Sequence, residues 1–163
     1  MKFRLLSDTE RKLYQAEVMA QFDYTDVAAL GAATTGNLSV VPATTNGAMP
    51  AAGTSGTDTV PAGTAIKFKA LIVDTAFVSG SAAGLAVTIG DAGSANRLMA
   101  SSQLQSGQTP VTYVVGITNE FVVTTAQTFN AYFTSTTANL STFTAGSARA
   151  FFSLRDLTQL PTS

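Results

Sequence analysis

The sequence predicts an all-β protein: an antiparallel β-sandwich or jelly roll with an N-terminal arm and a long low-complexity loop. Three observations carry this. Apolar residues recur with period two in one segment after another, which puts one face of each strand in a core and the other in water. Gly, Ser, Thr, Asn and Pro fill the gaps between those segments, so neighbouring strands can turn back on each other. Helical periodicity is nearly absent. The alternation is clearest between Val111 and Leu157, where three strands follow in a row. Val111–Ile117 has large apolar odd positions. In Gln127–Thr134, Phe129, Ala131 and Phe133 alternate with Thr128, Asn130 and Thr134. In Ala148–Arg155, Ala148, Ala150, Phe152 and Leu154 face one way, and Arg149, Ser153 and Arg155 the other. Phe151 is the exception on that polar side. Burying Phe129, Phe133, Phe152 and Leu154 supplies about 1.5–3 kcal/mol each before entropy is charged.

From the N-terminus, residues 1–12 read as the arm, and residues 13–163 as a single sandwich domain with an extended loop at about 27–60. Ser7-Asp8-Thr9-Glu10 fits a capping box, with Ser and Glu satisfying free backbone N–H groups at a helix start. A short helical turn near Thr9–Lys12 is expected, then a strand from Leu13 to Tyr24 whose even positions are Tyr14, Ala16, Val18, Ala20, Phe22 and Tyr24. Met19 is its one apolar break. Residues 1–6 are read either as an arm that docks on a neighbour or, in a lone chain, as a frayed terminus. Val27–Thr57 contains no charged residue. A structureless stretch of this length points to an exposed binding excursion or a segment ordered by assembly. Asn46-Gly47 within it is a hairpin dipeptide.

After the turn at Val60–Thr64, Ile66, Phe68, Ala70 and Ile72 form one strand face. Lys67 and Lys69 open the other, which turns apolar at Leu71 and Val73. That change predicts passage under another element or into a subunit contact. Thr75–Val78 continues the strand, Gly80–Gly84 turns it, and Leu85–Ile89 is the next. Arg97–Ala100 is read as a short strand or turn, and Gly107–Pro110 resets the chain. The total is seven or eight strands, a sandwich or jelly-roll pattern.

Composition narrows the function. The chain has 163 residues, of which 12% are charged, and a net charge of −1. Its nine Lys and Arg are scattered, so a nucleic-acid footprint is not expected. Thr, Ala, Gly and Ser fill the surface, which suits packing against copies of itself or a larger body and equally an ordinary Thr-rich β-domain. With no Cys and no His, neither a thiolate site nor a Ser-His-Asp triad can be built. No run resembles a signal peptide or the roughly 20 apolar residues of a membrane helix, so synthesis in the cytoplasm is expected.

Few residues invite chemistry. Asp23 and Asp26, with Asp74, are the carboxylates that a glycan-active enzyme would use; strand-end solvation and turn capping account for the first two. Gly90–Asn96 offers oxygens at Asp91, Ser94 and Asn96, but one carboxylate is too little charge for calcium. The expected structure is an Asx turn, with Asp91 accepting from nearby N–H groups and Gly93 at positive φ. Asn37-Leu38-Ser39 and Asn139-Leu140-Ser141 match the glycosylation acceptor pattern. Tyr14, Phe22, Tyr24, Tyr113, Tyr132 and Phe151 are candidates for a sugar-stacking platform, though alternation assigns most of them to the core. Phosphate-loop, dinucleotide and nucleophile-elbow motifs do not occur.

The segments Leu85–Asp91, Asn96–Ala100, Gln127–Thr134, Leu140–Gly146 and Ala150–Leu154 resemble small structural proteins of tailed bacteriophages, as a pattern of strands and turns over about residues 65–157. The resemblance implies a jelly-roll or related sandwich in the virion: a non-enzymatic capsid cement or decoration protein on the capsid exterior. It implies a homo-oligomer, trimer or dimer, holding neighbouring major capsid protein subunits together, with no membrane and no nucleic acid as partner. No catalytic, cofactor-binding or metal-binding residue is expected, since such a protein works through an interface. The arm and the Val27–Thr57 stretch are the expected contacts. The alternatives are a tail or fibre module binding a host-surface glycan, and the glycan-active enzyme above.

Overall fold

The computed structural model describes residues 2–5, 7–9, 18–40, 59–104, 111–113 and 120–159. Strands dominate them: β1 (Lys2–Leu5), β2 (Val18–Asp23), β3 (Thr35–Ser39), β4 (Thr64–Ser79), β5 (Gly84–Asp91), β6 (Ser94–Gln103), β7 (Val111–Tyr113), β8 (Phe121–Val122), β9 (Asn130–Thr136) and β10 (Phe143–Asp156). A short helix, α1 (Tyr24–Ala28), follows β2, and 3-10 turns span Leu140–Thr142 and Leu157–Gln159. The all-β expectation holds.

All strand pairs are antiparallel. One sheet runs β1-β2-β10-β4, with β7 and β8 lying along the far side of β4 at Leu71–Val73 and Ala65–Ile66. The second runs β3-β9-β5-β6. The pairings are nested in sequence. β5 pairs β6, β4 pairs β7, β3 pairs β9, and β2 pairs β10. The chain is thus a long two-stranded ribbon closed at the β5–β6 turn. Rolling that ribbon up brings β10 against β4 and β9 against β5.

The two sheets share one core. Ala20 and Phe22 from β2, Ile66, Phe68, Leu71, Val73 and Phe77 from β4, and Ala148, Ala150 and Phe152 from β10 meet Leu85, Val87 and Ile89 of β5 and Ala131 and Phe133 of β9. Phe22 stands edge-on to Phe133 across the gap, with ring centroids 5.3 Å apart, the geometry favoured by the ring quadrupole. Phe68 and Phe152 make a second edge-on pair at 5.6 Å. The predicted inward residues Phe129, Ala131, Phe133, Ala148, Ala150 and Phe152 are all buried, and Leu154 packs against the core from its margin.

The β4 alternation is corrected by a bulge. Phe151 pairs with Ala70 and Phe152 with Phe68, which leaves Lys69 as the extra residue. One extra residue exchanges the two faces of everything beyond it. Ile66 and Phe68 therefore share the main core with Leu71 and Val73, while Ala70 and Ile72 turn to the outside. There they meet Met19 and Phe151 in a separate buried cluster. The breaks in alternation at Met19, at Phe151 and along β4 are one feature.

Other expectations are also corrected. Lys2–Leu5, read as an arm, pairs with Val18–Gln21 as an edge strand, because extended backbone needs hydrogen-bond partners and the free side of β2 supplies them. The Val27–Thr57 stretch is not structureless where it is described. It holds the end of α1 and then β3, whose Thr35–Ser39 pairs with Asn130–Thr134. Residues 41–58 lie outside the described residues, as do residues 10–17 with most of the predicted turn at Thr9–Lys12, and residues 114–117 of the predicted strand after Val111. Gly93 does not have the positive φ expected of it.

Candidate interaction face

Each carboxylate singled out from the sequence has an architectural partner. Asp23 is the N-cap of α1, accepting from the N–H groups of Thr25 (2.8 Å) and Asp26 (3.3 Å). Asp26 accepts in return from the Asp23 N–H at 3.1 Å, completing a capping box. The Thr25 hydroxyl donates to Asp23. This bond, ahead of the opposing effect of partial burial and with help from the capping N–H groups, holds the Asp23 carboxyl below its ordinary value. Asp74 takes a bidentate grip from Arg149, at 2.8 and 2.5 Å, on the outward side of the β1-β2-β10-β4 sheet. The structure thus brings Asp23 and Asp26 together at a helix start and engages Asp74 in a separate ion pair.

The Gly90–Asn96 loop is the closed end of the ribbon. Asp91 accepts from the N–H groups of Gly93 and Ser94, both at 2.8 Å, so the expected Asx turn is present. The sequence reading did not anticipate its second partner, Arg97, whose Nε donates to the other oxygen of Asp91. The Arg97 guanidinium also lies 4.6 Å from the Phe121 ring centroid on β8, fastening the turn to the opposite sheet. Burial pushes the Asp91 carboxyl up, but Arg97 and the two N–H groups outweigh it and hold it below the ordinary 3.8. Among the described residues, no group of three or more His, Cys, Asp or Glu could hold a metal ion.

The outer faces of the two sheets differ in kind. On the β1-β2-β10-β4 sheet, Met19, Ala70, Ile72 and Phe151 are already buried, beside the Arg149–Asp74 pair. Strands β4 and β10 also carry Lys67, Lys69, Arg155 and Asp156. On the other sheet, strands β3, β5, β6 and β9 together contain two charged residues, Asp91 and Arg97, and these pair with each other. Register sets what that face presents. Thr35, Asn37 and Ser39 of β3 lie beside Thr134, Tyr132 and Asn130 of β9, which lie beside Ala86, Thr88 and Gly90 of β5. All but Gly90 are exposed or half-buried.

Tyr132 stands near the middle of this face, with Asn37 and Thr88 as its cross-strand partners. Its hydroxyl accepts from Asn130 Nδ2 at 3.4 Å. Asn130 is two residues back along the same strand, so the ring leans along β9 instead of standing out from it. Of the other proposed platform aromatics, Phe22 and Phe151 are buried and Tyr24 is exposed on α1. The side chains of Tyr14 and Tyr113 lie outside the described residues. Asn37 of the first glycosylation pattern is on this face, and Asn139 of the second is exposed before the 3-10 turn.

Comparison with family models, with curated proteins and with solved structures finds no match to the chain.

Proposed function

We propose that the chain is a non-enzymatic structural protein of a phage virion, a decoration protein that stabilises the head by bridging major capsid protein subunits. The observation that carries the reading is the strand order. Four nested pairs, with β2-β10-β4-β7 facing β3-β9-β5-β6, support reading the sandwich as a jelly roll, an architecture that recurs in viral capsid and lectin domains. A fold alone does not fix a function. The resemblance of residues 65–157 to small phage structural proteins supplies the direction, and the charge-free outer face of β3-β9-β5-β6 supplies a surface suited to wide, shallow contact. The reading places the chain on the capsid exterior as a homo-oligomer. Purified protein added to heads from a phage deleted for this chain should co-sediment with them and raise their resistance to heat. Heads that neither retain the protein nor gain stability would reject the proposal.

Tyr132 favours a second reading, a tail or fibre module binding a host-surface glycan, because an aromatic ring flanked by amides and hydroxyls can stack on a sugar. Binding to a neutral glycan array, without retention on heads, would select it.

A further inference from the structure

We infer that β1 is exchanged between copies of this chain, so that Lys2–Leu5 of one copy forms the edge strand beside β2 of a second copy. The inference rests on the homo-oligomer in the reading above and deepens it by naming the contact that joins the copies. The edge of β2 has to be covered. Its Val18, Met19, Ala20 and Phe22 are all buried, and β10 takes one side of it. Left bare, the other side would be an apolar edge open to pairing with any chain. The structure shows what covers that edge. Lys2, Phe3, Arg4 and Leu5 pair with Gln21, Ala20, Met19 and Val18, and in the sheet β1 adjoins β2 alone. Every ladder bond of β1 is therefore made to one strand. The whole set is reproduced when β1 comes from another copy, which is why exchange of an identical element is a low-cost route to an oligomer.

The length of the connection lets a second copy supply the strand. Leu5 and Val18 are register partners, yet residues 6–17 separate them. A β-hairpin uses about two to five residues there, so β1 is not held to its own β2 by a tight turn. Fully extended, a connection of this length reaches roughly 40 Å, enough to carry β1 from one sheet edge to a neighbour's. Ser7, Asp8 and Thr9, just after β1, are exposed, so the chain leaves the strand along the surface. Within one chain, such a connection gives β1 an effective concentration on the order of millimolar. A second copy matches that only where copies are held together. Exchange therefore belongs to the assembled protein, and the dilute chain keeps β1 on its own β2.

The test uses the full chain, which has no cysteine of its own, with Lys2→Cys and Gln21→Cys placed at register partners. Paired antiparallel residues lie about 4.5–5.5 Å apart at Cα, a span that a disulfide bridges. The double variant, checked for an unchanged melting transition, is oxidised where light scattering shows an oligomer and again after dilution to monomer. On a denaturing, non-reducing gel, the oligomer should give at least tenfold more disulfide-linked chains than internally bridged monomer, and the diluted sample the reverse. An equal mixture of the two single variants, refolded together, should give linked dimers that neither variant gives alone, because only exchange brings those positions together. Internally bridged monomer from an oligomeric sample, with no linked dimer from the mixture, would overturn the inference and leave the homo-oligomer standing. A parent chain that stays monomeric at every concentration and on phage heads would defeat the homo-oligomeric reading itself, and the exchange with it.

Discussion

At the residue scale, Asp91 shows how one side chain can hold two sheets in place. Its carboxylate organises the β5–β6 turn through Gly93 and Ser94 and positions Arg97 against Phe121 of the other sheet. Asp91→Ala leaves two N–H groups and a guanidinium without their acceptor, so a loss of about 2–3 kcal/mol is expected in urea denaturation at pH 7. The folded carboxyl titrates below its unfolded value near 3.8. Its contribution is therefore present above that value and lost as pH falls through the lower folded one. The gap between parent and Asp91→Asn should accordingly narrow when melts are repeated at pH 2. Gly146 is a second constrained position. Its φ is +132°, and a Cβ there would lie 2.4 Å from Phe77 Cγ. Gly146→Ala should cost about 2–4 kcal/mol, combining backbone strain with displacement of a core ring, and lower Tm accordingly.

At the scale of the element, legibility followed from how regular each strand is. β9 and β10 could be read because their alternation is unbroken where they face the core. β4 could not be read completely, because a bulge at Lys69 leaves only an ambiguous mark in a sequence where both faces beyond it are apolar. Its trace was the apolar turn at Leu71 and Val73, which by itself could equally signal a covering element. β3 and α1 were hidden in small residues of weak preference, and β3 is set by its register on β9. The capping pair Asp23 and Asp26 was the available signal for α1. Of the polar outer face of β3-β9-β5-β6, the sequence singles out Tyr132 and the polar side of β9 but not the grouping around them. Tyr132, Asn37 and Thr88 come from three strands, and pairing alone makes them neighbours. The bulge gives a direct expectation. Deleting Lys69 would close the bulge and keep Leu71 and Val73 inside with Ala70 and Ile72 outside, whereas inserting one residue after Lys69 would exchange those faces, so the insertion should abolish the cooperative melt. Lys69→Ser should keep it with little change in midpoint.

At the scale of the whole molecule, the sheets are two halves of one rolled ribbon sharing a continuous core, so neither half can keep its buried surface dry without the other. A single urea transition is expected, coincident by far-UV circular dichroism and by tyrosine fluorescence; two separated transitions would contradict the shared core. The same architecture has a kinetic side. β10 comes after every other strand in the chain, yet it lies between β2 and β4. Until it emerges from the ribosome, the first sheet has a gap at its centre and Phe68 lacks its edge-on partner Phe152. Pairing of β2 with β10 also closes a loop of more than a hundred residues, the kind of non-local contact that slows folding. A chain built this way cannot complete its core before β10 has been made, and until then it is most open to aggregation.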